Sequence, residues 1–586
     1  MKVFEGEHVG IITGEATVDS FQFHARLNSE LKFGEFVVTR LCRESKSREC
    51  RFSNDGWVLG TVRKISNVNW LLEGSRNTYD SLMLDIEEYG DSIGENEAVV
   101  ATVKVLGRVV MGDGGVEISP NRVPVPNGNR VYLASSELLS AIYSRGEDSI
   151  DVGTLLLRND VPVSLDVNEL VSRHFAVLAV TGAGKSNTVA VIVRGIVEDL
   201  GGTVVMLDPH GDYLRLRFPR TGFDMIKLID AKINPKEMDG EELADLIEVP
   251  RTASIQREFL SKAWDYVRMN KAELGGRELI EELRRTLEEW ARKREIKYWD
   301  EKGGYWGTEE IKAERSETIK GVIYRVRRFL RNYGSILTDE DLISQIEAGK
   351  ANVIDLGPLD EGQMKVVVGK LLYRLFESRV DYEKARKEVT RLKLALKDSK
   401  SAERAKRLEE LERVMKEIEG KSEALAEPLL IVVEEAHIFA PQGEKNDTVR
   451  IMSRIAREGR KFGVGIAVVS QRPNRLNEDV LSQTNTKIIL RIVNPRDQNY
   501  VLDASEQLSS DLLSDIPSLG KGEAVVVGQA VSVPALVKVY NFKELGGDYG
   551  GEDIGITKRW RERLERMRER KEREEMHEEL DISIDM

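Results

Sequence analysis

The sequence predicts a multidomain α/β protein. A small N-terminal β-barrel precedes a mostly parallel sheet covered by helices, with helical insertions and a charged C-terminal helix. Three observations carry this reading. Short alternating apolar runs crowd the first 110 residues, as in small barrels. From about residue 151, strand-like runs alternate with helical patterns, which argues for a parallel sheet. One of those runs, Val177 to Val180, ends in Thr181-Gly182-Ala183-Gly184-Lys185-Ser186 and then a helix-compatible segment.

In the barrel region Phe21, Phe23, Ala25 and Leu27 alternate at period two. Phe36 to Val38, Trp57 to Leu59 and Val99 to Val105 add further short runs, and Asn54-Asp55-Gly56 marks a turn. Residues 111–164 contain Pro120, Pro124 and Pro126 and read as a connector with a short helix near 136–144. Strands are expected at 175–180, 203–208, 352–356, 429–434, 464–470, 486–492 and 523–528. They divide the core into 165–239, 346–380 and 425–545, separated by a charged helical insertion (240–345) and a helical hairpin (381–424). The hairpin shows one stripe at Val389, Leu392 and Leu396 and another at Leu408, Leu411, Met415 and Ile418. The tail, 546–586, is nearly all charge from Lys558 on, with Trp560, Leu564 and Met567 at helical spacing. Such a helix gains most by lying on a neighbouring subunit.

The chain has 586 residues, enough for about three or four domains. Its net charge of −13 excludes a uniformly basic nucleic-acid coat but not a local basic channel. No apolar run approaches a membrane span, and the N-terminus lacks a signal-peptide pattern, so a cytoplasmic protein with no membrane partner is expected. Cys42 and Cys50 are expected to be reduced thiols, neither a zinc site nor a disulfide framework.

The strand–turn–helix at 177–200 has the order a phosphate cradle needs. Glycines let the backbone approach the ligand, successive N–H groups point inward, and a helix start adds partial positive charge. Lys185 would reach the β/γ-phosphates and Ser186 would ligate Mg²⁺. Ala179 stands where the full pattern has glycine, and the bland alternative is an ordinary glycine-rich turn. Leu429 to Val433 ends in Glu434-Glu435: the first acid suits the Mg²⁺ shell and the second suits activation of water. A capping acid pair at a helix start is the competing reading. Gly465 to Ser470 ends in Gln471, placed to sense a γ-phosphate or simply to start a turn. Arg450, Arg454, Arg457, Arg460 and Lys461 form a basic helix that is either a solvated face or a donor to the next subunit's nucleotide.

These residues, with Leu165 to Leu170, Ser172 to Leu178, Leu207-Asp208-Pro209-His210-Gly211-Asp212-Tyr213, Glu434 to His437 and Gly459-Arg460-Lys461-Phe462-Gly463, resemble the archaeal HerA DNA translocases of the HerA–FtsK branch of RecA-like motors. The resemblance implies a HAS-type barrel, a RecA-like core, a ring of six subunits, a NurA-type nuclease partner and a role in resecting DNA ends for recombinational repair. It implies ATP and Mg²⁺ as cofactors, held by Arg173, Thr181, Gly182, Ala183, Gly184, Lys185, Ser186, Asn187 and Asp208, with Val539 and Tyr540 beside the adenine. Catalysis is expected from Lys185, Glu434, Glu435 and Gln471, with Arg460, or else Arg457, acting in trans. Arg215, Arg217, Arg472 and Arg475 are candidate contacts to double-stranded DNA. A protein-remodelling ring, an ATP-assembled scaffold and a DNA pump of the FtsK or conjugative type are the competing functions.

Overall fold

The computed structural model describes residues 4–26, 29, 31–42, 56–69, 97–112, 115–144, 146–300, 305–398, 402–505, 507–550, 557 and 559–568. Leu27, Cys50, Asn54, Asp55, the hairpin tip 399–401, Lys558 and the tail beyond 568 lie outside these residues.

The N-terminal sheet comprises β1 (Glu5–Ala16), β2 (Ser20–Ala25), β3 (Phe36–Arg40), β4 (Trp57–Asn69), β5 (Glu97–Gly112), β6 (Gly115–Ser119) and β7 (Arg130–Ala134). Its order is β2-β1-β7-β3-β4-β5-β6, and β2 also pairs with β5. Six strands therefore close into a barrel, with β6 riding outside on β5; closure leaves no free edge among the six. Phe21 and Phe23 point into its core and Gln22 and His24 point out, as the period-two pattern requires.

Residues 111–164 do not form the simple connector expected. They supply β6 and β7 to the N-terminal sheet, the helix Ser136–Tyr143, and β8 (Ser149–Leu155) and β9 (Arg158–Asp166) to the main sheet. Their prolines hid this. Pro120, Pro124 and Pro126 fall in the turn between β6 and β7, and Pro162 lies in β9, an edge strand that can spare an N–H. Cys42 is disulfide-bonded, which corrects the expectation of a reduced thiol.

The main sheet adds β10 (Phe175–Leu178), β11 (Thr203–Asp208), β12 (Ile226–Asp230), β15 (Ala351–Asp355), β16 (Leu429–Val433), β17 (Val464–Ser470), β18 (Thr486–Leu490), β19 (Glu523–Val527) and β20 (Ala535–Val539); β13 (Glu295–Asp300) and β14 (Tyr305–Glu310) form a separate hairpin. Its order is β12-β15-β11-β16-β17-β10-β18-β19-β20-β8-β9. From β12 to β18 all pairings are parallel, and from β18 to β9 all are antiparallel. β16 and β17 are buried at every residue, which is why both read as continuous apolar runs.

The insertion is helical, with Ser254–Asn270, Gly276–Lys293 and Ala313–Tyr333 packed around Trp264 and Leu283. A long helix, Glu361–Asp398, carries the first arm of the hairpin, and Ala402–Lys421 returns along it. Ala385, Val389, Leu392 and Leu411 form the seam between them.

Candidate active site

The phosphate loop leaves β10 between two parallel neighbours. The Ala179 N–H donates to Ser470 O at 3.2 Å and the Val180 N–H to Arg491 O at 3.0 Å. Ala179 is fully buried and is not among the residues with positive φ, so the missing glycine costs the turn nothing. The glycines that matter are Gly182 (φ +80°) and Gly184 (φ +111°), both in the left-handed region. A Cβ at Gly184 would also come within 3.3 Å of the Gly522 nitrogen. The helix Lys185–Arg194 then starts with no side-chain cap, leaving its first N–H groups free for an anion.

Lys185 Nζ lies 3.0 Å from Glu434 Oε2 and also pairs with Glu435 Oε1. Burial alone would pull its pKa down, but the two carboxylates outweigh it and hold the ammonium above its ordinary value. Consecutive residues of a strand point to opposite faces, so two adjacent acids should not share one lysine. The structure solves this with backbone strain: Glu435 has φ 46° and ψ 45°, a left-handed conformation that costs roughly 1–2 kcal/mol for a residue with a Cβ.

Glu434 is fully enclosed, and burial raises its pKa against the opposing pull of Lys185. It also accepts a hydrogen bond from the buried Tyr213 hydroxyl, which burial and Glu434 together keep protonated. Glu435 Oε2 faces His437 Nδ1 at 3.3 Å, and that nitrogen lies 3.2 Å from the Ser470 hydroxyl. Burial lowers the His437 pKa, opposed by Glu435 and assisted by Arg472, Lys185 and Arg475.

Ser186 donates to Asp212 Oδ2 at 3.0 Å, and Thr181 donates to Gln471 Oε1 at 2.5 Å. Asn187 grips the chain after β20 twice: its amide donates to Tyr540 O at 2.8 Å, and its carbonyl accepts the Phe542 N–H at 2.9 Å. Lys185, Ser186, Glu434, Glu435, Gln471 and Thr181 are thus brought together at the ends of β10, β17 and β16.

Other expected residues stand elsewhere. The Asp208 carboxylate accepts the N–H groups of His210, Asp212 and Tyr213 at 3.3, 3.1 and 2.8 Å, so it organises the turn after β11 instead of facing a ligand. Val539 belongs to the core, leaving only the half-buried Tyr540 accessible beside Asn187. Arg173 pairs with Glu169 at 2.7 Å. Arg457 and Arg460 are exposed, and no ion pair involves either among the described residues; Arg454 is bound to Glu377 and Glu458, and Arg450 to Asp447. Arg215, Arg217, Arg472 and Arg475 are all exposed. Arg217 is joined to Asp548 by a backbone bridge.

Sequence reasoning missed Tyr213, Asp212, His437 and His174. His174 sits at φ 61°, buried just before β10; its Nδ1 accepts the Ile466 N–H at 3.1 Å and its ring also bonds the Ala456 backbone. Burial lowers its pKa to about 4 from 6.5. The neutral ring is the folded form, so its stabilisation is complete above pH 6.5 and is lost as pH falls toward 4, by roughly 3 kcal/mol in all. Thermal unfolding followed from pH 7 to 4 should show this loss in the wild type and a flatter acid limb in His174→Gln. Equal slopes would show that His174 does not control it.

The residues fit a magnesium–nucleotide. Glu434 Oε2 and Glu435 Oε2 are buried without a well-aligned hydrogen bond, the first 3.0 Å from Lys185 Nζ and the second 3.3 Å from His437 Nδ1. Among the described residues no group of three or more His, Cys, Asp and Glu is placed to hold a metal ion.

A HAS barrel domain matches residues 9–110, the helicase HerA central domain residues 150–375, and the helicase HerA-like C-terminal domain residues 415–543. The DNA double-strand break repair helicase HerA of Pyrococcus furiosus is 58% identical over 585 residues, covering 99% of this chain and 100% of that one. The chain belongs to the HerA helicase family. Within it, the DNA double-strand break repair helicase HerA of Sulfolobus acidocaldarius is 31% identical, over 94% of this chain and 96% of its own length. Among solved structures, VirB4 of Thermoanaerobacter pseudethanolicus aligns with a TM-score of 0.43 and 14% identity, over 68% of this chain and 97% of that chain. The plasmid coupling protein TrwB bound to a GTP analogue gives 0.42 and 14%, over 70% and 93%. As a HerA family member the protein is an enzyme of the helicase class, an ATPase with a nucleotide as its cofactor. Among the described residues no helix is long and apolar enough to cross a membrane.

Proposed function

We propose that this HerA family member is an ATP-driven translocase on double-stranded DNA, working as a homohexameric ring with a NurA-type nuclease in DNA end resection and recombinational repair. The observation that carries the motor reading is the single ammonium of Lys185 shared by Glu434 and Glu435 beside an uncapped helix start. The lysine placed to bind phosphate is also in contact with the two acids placed to act on metal and water, so phosphate binding and the acids are coupled through one ammonium.

The N–H groups of Gly182 to Ser186 and the Lys185 ammonium would hold the phosphates, while Ser186 and Glu434 would hold Mg²⁺, whose charge offsets that developing on the phosphoryl oxygens. Ser186 must exchange Asp212 for that role, and Glu434 is aimed by Tyr213. Glu435 takes the proton from the attacking water, with His437 and Lys185 fixing its orientation. The Gln471 amide, now tied to Thr181, reports occupancy to Arg472 and Arg475 on the following turn. Arg460 of the neighbouring subunit, with Arg457 beside it, completes the charge balance, Arg173 approaches from before the loop, and Tyr540 flanks the base.

Arg215, Arg217, Arg472 and Arg475 are proposed to meet DNA phosphates. With a net charge of −13, binding then concentrates on these few cations and needs no base contacts. ATPase rates measured with duplex DNA across 50–300 mM salt, with and without the nuclease, test this. Stimulation should fall as a power of salt, with a slope of about −0.9 per phosphate contact. Stimulation by unfolded protein but not by duplex would point to a remodelling ring instead. Rings mixing Arg460→Ala with Lys185→Ala subunits should regain part of the activity, because some interfaces combine an intact loop with an intact arginine. No recovery at any ratio removes Arg460 from its role in trans.

A further inference from the structure

The turn that presents Arg460 is held by side chains of the long helix. Gly459–Phe462 forms a short 3-10 turn after the helix Asp447–Glu458. Facing it, Arg379 is completely buried and spends its guanidinium on backbone oxygens. Nε and Nη2 donate to Phe462 O at 3.1 and 2.8 Å, and Nη1 donates to Leu425 O at 2.8 Å. Nη2 also pairs with Glu383 at 2.9 Å, and Glu383 keeps a second partner in Arg386 at 2.8 Å. Two further anchors stand on the same helix: Lys387 Nζ donates to Lys461 O at 3.2 Å, and the Phe376 ring meets Phe462 edge-on at 5.8 Å. Gly463 (φ +67°) closes the turn, and a Cβ there would come within 3.0 Å of Arg379 Nη2.

A buried guanidinium is expensive, and its bonds show what it fixes. Both carbonyls it binds belong to segments that lead to the reaction. Phe462 is two residues from Arg460, and Leu425 precedes β16, which ends at Glu434 and Glu435. We propose that Arg379 is a positioning residue for the arginine acting in trans: it fixes the Arg460 turn relative to the strand that carries the subunit's own catalytic acids. This rests on the assignment of Arg460 above. Arg379 touches no nucleotide and acts through the Phe462 carbonyl, with Lys387 as a weaker second tie. The hairpin continuing from this helix is thereby a lever on the neighbour's site, because displacing it displaces Arg379.

The test is a double-mutant cycle on the full-length protein, reading kcat and KM for duplex-stimulated ATP hydrolysis. Arg379→Met should lower kcat at least tenfold with KM for ATP within about twofold, since misplacement by an ångström can cost about a hundredfold. Placed on Arg460→Ala, it should add no further loss, because the residue it positions is gone. Lys387→Ala, at an exposed position that leaves the core intact, should lower kcat about threefold in the wild type and not at all in Arg460→Ala; it keeps the test open if Arg379→Met does not fold. Multiplicative losses in both double variants, or an unchanged kcat in both single variants, would overturn the proposal. Near-normal turnover in Arg460→Ala alone would instead remove the assignment on which it rests. A merely structural Arg379 would lower kcat further in the Arg460→Ala background.

Discussion

Lys185→Ala should reduce ATP turnover by a factor of about 10²–10³ or more and should also lower thermal stability in a pH-dependent way. The first effect follows from losing the cation that meets the transferring phosphate. The second comes from what is left behind: Glu434 and Glu435, both buried, with no lysine between them. One of them must then take up a proton, and Glu434, already raised above its ordinary value by burial, is the candidate. A carboxyl whose pKa is raised on folding stabilises most at low pH and loses that contribution as pH rises through the raised value. The variant should therefore lie closest to the wild type near pH 5 and fall furthest behind near pH 8. Calorimetry at both values, with ATPase assays alongside, checks the two halves separately. Turnover close to wild type would show that the loop does not grip a triphosphate, and a pH-independent deficit would show that the acids are not coupled to Lys185.

Glu435→Gln should bind nucleotide but hydrolyse it roughly 10²–10⁴-fold more slowly. The amide keeps the shape of the side chain and loses the basic oxygen. Lys185 still has Glu434, so the fold and the phosphate grip should survive. Glu434→Gln is the informative companion. Its side chain is enclosed and fixed by Tyr213, so its loss should weaken metal-dependent binding as well as rate. Nucleotide binding measured with and without magnesium, next to single-turnover hydrolysis, separates the two acids. If Glu435→Gln turned over within a few-fold of wild type while Glu434→Gln did not, Glu434 would be the base and Glu435 the metal-side acid.

Much of the core was legible because parallel strands buried on both faces are written as unbroken apolar runs. β10, β11, β15, β16 and β17 each announce themselves, and β10, β16 and β17 lead directly into the candidate site residues. The antiparallel extension was legible only in part: β19 falls on an expected apolar run, whereas β8, β9 and β20 interrupt their buried residues with more exposed ones, and β9 contains a proline. At the site, residue types could be read and their aim could not. Nothing in Glu434-Glu435 announces a left-handed backbone at the second acid. Asp208 looks like a ligand until its oxygens are seen to be occupied by the turn that follows. The bonds from Tyr213 to Glu434 and from Arg379 to Phe462 join positions 221 and 83 residues apart, and no local spacing encodes them.

The order β10-β17-β16 also works as a ruler. Neighbouring strands lie about 4.8 Å apart, so inserting β17 sets the loop and the acids roughly 10 Å from each other. Adjacent strands would bring lysine and carboxylate together with no room between them. Two spacings leave room between the loop and the acids, which the Lys185 side chain spans. Gln471 directly follows the middle strand, so the strand that sets the width also carries the group proposed to sense the nucleotide.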